Sequence, residues 1–137
     1  MRADQPAVPD TVLVVDDDLA VRLIVGRALE ESGRAVCAAP SGYLALAALT
    51  AAPDTIGLVL SDVRMPGMSG LDLALEVRRS WPEVPILLMS AYDPPELLSS
   101  HVELADIPLL QKPFTNDALL RVVGSLMPVA RPDRLPS

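Results

Sequence analysis

Four short apolar runs, each closing on a residue with chemistry, constrain this chain more than anything else in it. Val12-Leu13-Val14-Val15 runs into Asp16-Asp17-Asp18, and Ile56-Gly57-Leu58-Val59-Leu60 runs through Ser61 into Asp62. Ile86-Leu87-Leu88-Met89 ends on Ser90, and Leu109-Leu110-Gln111 ends on Lys112-Pro113. Runs of this length and composition read as parallel strands buried on both faces. In an open α/β sheet, ligands bind beyond the carboxyl ends of the strands, near the point where strand order reverses. Carboxylates, a hydroxyl and an ammonium, distant in sequence, therefore converge on one edge. That set suits a phosphoryl group and a hard divalent cation.

The segments between the runs carry helix signals. From near Asp18, Val21, Ile24, Val25, Ala28 and Leu29 form one stripe on a 3.6-residue period, with Gly33 placed to end the helix. Ala35–Ala38 is a short second strand, and Ser41 is the N-cap of a helix through Ala51 with Ala45, Ala48 and Leu49 inward. A loop from Asp62 to Gly70 precedes a third helix to Ser80, with Leu71, Ala74 and Leu75 on its apolar side. A fourth helix has room only from Glu96 to about Ala105. The last has Thr115 as N-cap and Leu119, Val122, Val123 and Leu126 on one face. Five strands alternating with five helices predict βαβ units and a parallel sheet.

At 137 residues the chain is expected to form one domain over 11–127, with a lead at 1–10 and a Pro-containing tail at 128–137. No apolar run approaches the roughly 18 residues a membrane span needs. The first ten residues lack the apolar core of a secretory signal, so a cytoplasmic location is expected. Cys37 is the single cysteine and has no internal disulfide partner, which fits a reducing compartment. A net charge of −7 argues against general nucleic-acid binding, which wants a basic face. Aromatic residues are only 3%, so the core must be built from Leu, Val, Ala and Ile.

Val14-Val-Asp-Asp-Asp-x-x-x-Arg22, Asp62-Val-Arg-Met-Pro-Gly-Met-Ser-Gly70, Met89-Ser-Ala91 and Gln111-Lys-Pro-Phe114, in this order, resemble the response-regulator receiver domain of two-component signalling. The wording around Lys112 is also similar to receivers of hybrid sensor kinases. The resemblance implies a flavodoxin-like, doubly wound five-stranded sheet of order 2-1-3-4-5 with five flanking helices. It implies that Asp62 accepts a phosphoryl group from a histidine kinase or a histidine phosphotransfer protein. Mg²⁺ would be held by Asp17, Asp62 and the backbone carbonyl of Arg64, with Asp16 acting through water. Ser90 would bond a phosphoryl oxygen, and Lys112 would place a positive charge beside it, through a cis Lys112–Pro113 peptide. The implied function is a stand-alone signalling module, not an enzyme. It reaches a downstream protein by contact or passes phosphate onward, without direct contact to nucleic acid or membrane, as a monomer or weak homodimer.

The family's aromatic three residues before the lysine is Leu109 here, which removes the ring used in its usual readout. In the family the positions of Tyr92 and Arg64 tune how readily water reaches the acyl phosphate, so the resemblance implies that their bulk slows its hydrolysis here. Two other readings compete. Val14–Asp18 superficially matches the opening of haloacid-dehalogenase-type phosphatases, but Ala20 stands where those proteins want Thr or Val, and their later acidic pair is missing. A pseudo-receiver that binds without phosphorylation is the other. Plainer roles suffice for Asp18 (N-cap), Arg22 (solvent side of the first helix), Cys37 (small core residue), Trp81 (cover of the third helix end) and His101 (exposed).

Overall fold

Alternation along β1 (Thr11–Val15) sorts the core into two halves. Val12 and Val14 face one side of the sheet and Leu13 and Val15 the other, all fully buried. The computed structural model describes residues 9–91 and 102–127. Within them β1, β2 (Ala35–Ala39), β3 (Ile56–Asp62), β4 (Ile86–Ser90) and β5 (Leu109–Gln111) form one parallel sheet of order β2-β1-β3-β4-β5. The topology expected from the sequence is the one observed.

Helix α1 (Leu19–Glu31) and the last helix, α4 (Asn116–Leu126), cover one face through Val25, Ala28, Leu29, Leu119 and Val123. Helices α2 (Gly42–Ala51) and α3 (Gly70–Ser80) cover the other through Ala45, Leu49, Leu71, Leu73, Ala74 and Val77. Each fully buried leucine contributes about 1.5–3 kcal/mol relative to exposure, which makes these two layers the main source of stability. Half-buried Cys37 and Trp81 pack against the second layer, Trp81 at the C-cap of α3. Among the described residues no helix is long and apolar enough to cross a membrane.

Caps fix the helix ends as the sequence suggested. Asp18, Ser41 and Thr115 each accept a backbone N–H from the first turn that follows. Ser69 and Asp72 cap α3 reciprocally. After α1, Gly33 at φ 96° gives its N–H to Glu30 O while Arg34 N–H reaches Leu29 O, the paired closure that favours glycine.

Two expectations need correction. Ile24 does not join the buried stripe of α1 but is 65% exposed, because that helix lies on the sheet along Val25, Ala28 and Leu29. Arg22 is half-buried and turned back onto the end of β1. The described residues hold four α-helices and a 3-10 turn at Val102–Leu104. Most of the segment assigned to the fourth, from Glu96, lies outside the described residues, as do Tyr92 and His101.

The open surface of α4 gives a simple test of helix propensity. Gly124 sits in the helix with nothing within 4 Å of a Cβ built there. Gly124→Ala should therefore raise stability by about 0.5–1 kcal/mol, since alanine loses less backbone entropy. Denaturant melts of the two proteins measure it, and an unchanged midpoint would count against the expectation.

Candidate functional site

Strand register assembles the site. Val15 pairs with Ser61 across β1 and β3, so Asp16 and Asp62 leave the sheet side by side. Asp62 pairs with Met89, and Ser90 pairs with Gln111, which brings the end of β4 and Lys112 to the same edge. Strand order reverses between β1 and β3, and such a switch point opens a crevice at the carboxyl ends.

Asp16 is 1% exposed, Asp62 8% and Ser90 1%, while Asp17 faces solvent. One carboxylate oxygen from each of Asp16, Asp17 and Asp62 lies within 4.8 Å of the others. Lys112 Nζ stands 3.1 Å from Asp62 Oδ1 and 3.3 Å from Asp16 Oδ2. It is carried there by the chain after β5, where Lys112 N–H donates to Ser90 O at 2.7 Å and the Lys112–Pro113 peptide is cis. Arg64, whose side chain is exposed, follows two residues after Asp62 on the loop leaving β3. Leu109 is half-buried and packs against the α2/α3 layer.

Burial is the largest influence on Asp62 and pushes its carboxyl above the ordinary range. Lys112 opposes the shift, while Asp16 and Asp17 add to it. For Lys112, burial works to lower the ammonium, but the contacts with Asp62 and Asp16 outweigh it and hold it above its usual value. The pocket therefore concentrates negative charge that one ammonium only partly offsets. An all-oxygen, anionic donor set of this kind fits a hard cation such as Mg²⁺ far better than a soft metal.

Two residues near the site escaped the sequence reading. Ser61, fully buried, donates its hydroxyl to Asp62 O at 2.9 Å; a polar residue inside an apolar run was the available signal. Arg22 Nη1 donates to Asp16 O at 2.7 Å, and only its place one turn into α1 hinted at this. Beyond Asp62 the loop closes when Gly70 N–H donates to Val63 O at 2.8 Å.

The comparisons with known proteins agree with this geometry. The family model of the response regulator receiver domain matches residues 12–124. The DNA-binding transcriptional regulator NtrC of Salmonella typhimurium is 36% identical over 82% of this chain, and the transcriptional regulatory protein FixJ of Bradyrhizobium diazoefficiens is 31% identical over 88%. The chain spans 24% of the length of the first and 58% of the second. Among solved structures, the chemotaxis protein CheY4 of Vibrio cholerae aligns with a TM-score of 0.79 at 30% identity, covering 88% of this chain and 100% of that one. TrrA of Thermotoga maritima, solved in complex with Mg²⁺-BeF, aligns with a TM-score of 0.77 at 31% identity, covering 86% and 99%.

Proposed function

This chain belongs to the response-regulator receiver domain family, and on that premise we propose that Asp62 is its phosphoacceptor, serving a histidine kinase or a histidine phosphotransfer protein. The observation that carries the proposal is Lys112 Nζ at 3.1 Å from Asp62 Oδ1, within the Asp16–Asp17–Asp62 cluster at the switch point of the sheet.

In the transfer, an Asp62 oxygen attacks phosphorus and the bond from phosphorus to the donor imidazole breaks. An acyl phosphate remains on Asp62 and a proton goes to the departing nitrogen. Mg²⁺, when bound, offsets the repulsion between the carboxylates and the phosphoryl oxygens. Asp17, Asp62 and the Arg64 carbonyl would hold it. Both Asp16 oxygens are already engaged, Oδ1 by Asp18 N–H at 2.9 Å and Oδ2 by Lys112, which supports a role through water for Asp16. Lys112, fixed between the two carboxylates, would present its ammonium to the incoming group. Ser90 would bond a phosphoryl oxygen from the end of β4. The likeness to TrrA, solved in complex with Mg²⁺-BeF, supports Mg²⁺ as the ion.

Output in this proposal is by protein contact, or by onward transfer of phosphate, from a receiver unit over 11–127. The face around β5 and α4 offers exposed Asn116, Asp117, Arg121 and Ser125 to such a partner. With Leu109 in place of an aromatic, the signal would travel by shifts of aliphatic packing.

Intact-protein mass after incubation with acetyl phosphate tests the proposal. A hydroxylamine-labile phosphoryl adduct should form with Mg²⁺ and be absent with EDTA. No adduct at saturating Mg²⁺ and donor would leave the pseudo-receiver reading in its place.

A further inference from the structure

We propose that Arg22 is a positioning residue for the acidic pocket: its clamp on the Asp16 carbonyl holds the β1–α1 turn in the shape that presents Asp17 to a divalent cation. The inference rests on the metal-binding reading of that pocket.

Asp16 is held at four points. Its N–H donates to Ala39 O at 3.2 Å, and its Oδ1 accepts from Asp18 N–H at 2.9 Å. Its Oδ2 faces Lys112 Nζ at 3.3 Å, and its carbonyl accepts from Arg22 Nη1 at 2.7 Å. The first three contacts fix the end of the strand and the Asp16 side chain. The second also closes an Asx turn across Asp17, and the fourth holds the Asp16 carbonyl itself, so that the peptide plane leading into Asp17 is gripped at its oxygen. The contact is short and charge-assisted, which places it among the stronger hydrogen bonds.

Arg22 is itself well anchored. It lies in the first turn of α1, where its N–H donates to Asp18 O at 3.1 Å, and its side chain is half-buried. Asp18 caps the same turn by accepting Ala20 N–H at 2.9 Å. Asp17, exposed, sits between two neighbours whose backbones this network immobilises. A ligand held in advance loses less freedom when the cation arrives, and preorganisation of this kind appears as affinity.

The charge of Arg22 acts in the opposite sense. A guanidinium beside the pocket repels a divalent cation, so an arginine present only as a nearby charge would weaken metal binding. Arg22 is half-buried and lies well within a Debye length of the pocket, so at 0.15 M salt that repulsion is only partly screened and the clamp must outweigh it. The two roles thus predict opposite signs for one substitution.

The experiment is calorimetric titration of Mg²⁺ into wild type, Arg22→Met and Arg22→Lys at 0.15 M salt. Methionine keeps much of the apolar stem, and lysine keeps the charge and one donor. Arg22→Met should bind Mg²⁺ about 10-fold more weakly, the scale seen when residues that orient metal ligands are removed, and Arg22→Lys should recover part of that loss. In metal-free protein, hydrogen exchange at the Asp18 amide should be faster in Arg22→Met than in wild type. Equal or tighter Mg²⁺ binding by Arg22→Met, with wild type binding normally, overturns the clamp and leaves the pocket reading intact. Absence of saturable binding by wild type overturns both.

Discussion

Asp62→Asn should abolish the phosphoryl adduct and, in metal-free protein near neutral pH, melt at a higher temperature than wild type. The first effect follows because the amide offers no anionic oxygen to attack phosphorus. The second follows from linkage. Burial, reinforced by Asp16 and Asp17, raises the Asp62 carboxyl above its ordinary value of 3.8 in the fold despite Lys112. The folded protein therefore holds this proton more tightly than the unfolded chain does. Stability contributed by the group is largest below the unfolded pKa. It falls as pH rises from 3.8 through the folded pKa, and remains low above it. Asparagine removes that penalty, so its advantage in EDTA should shrink as pH is lowered through the same window. Mg²⁺ should stabilise wild type much more than the variant, since binding to the folded state alone adds stability by mass action. Melting curves across pH, with EDTA or Mg²⁺, measure all three differences. An asparagine variant that melts below wild type in EDTA at neutral pH would show that the Lys112 contact outweighs burial.

Gly70→Ala is expected to be the most damaging single-methyl change in the chain. A Cβ at Gly70 would run into the carbonyl oxygen of Asp62 and crowd Val63 Cα, both backbone atoms that cannot swing away. The close approach exists because Gly70 N–H donates to Val63 O and folds the loop back to start α3. Overpacking of a tight site costs about 1–3 kcal/mol even when side chains can yield, and here the backbone must move. Fully buried Ser61 bonds the same Asp62 carbonyl, so displacement should spread to the phosphoacceptor itself. Chemical denaturation should show a loss of at least about 1–3 kcal/mol, accompanied by slower adduct formation from acetyl phosphate. Gly124→Ala, the same chemical change in open space, is the control and should move stability the other way. Equal stability of Gly70→Ala and wild type would mean that the loop relaxes freely and that glycine is not required there.

Much of the fold and of the site is legible in the amino-acid order. The four apolar runs became β1, β3, β4 and β5 because uninterrupted apolar segments of that length can be satisfied only with both faces covered. Asp18, Ser41, Gly33 and Thr115 announced helix ends through local chemistry that needs no tertiary partner. Asp16, Asp17, Asp62 and Lys112 could be named because their positions at strand ends follow from the runs themselves.

The failures share one cause. Ile24 fits the helical period as well as Val25, yet one is exposed and the other buried, because period fixes a stripe and not the line along which a helix meets its sheet. Arg22 reads as a solvent-facing arginine, and its bond to the Asp16 carbonyl exists only once α1 has settled at one angle to β1. Gly70 reads as a turn residue, while its tight fit against Asp62 belongs to the closed loop. Sequence alone determined the strands, their chemistry-bearing ends and most caps, since these depend on local periodicity and short-range hydrogen bonding. Only the tertiary structure decided the 3.1 Å contact between Lys112 and Asp62, the partner of Arg22 and the close approach at Gly70. Such distances are set by how packed layers settle against one another, and no local pattern encodes that.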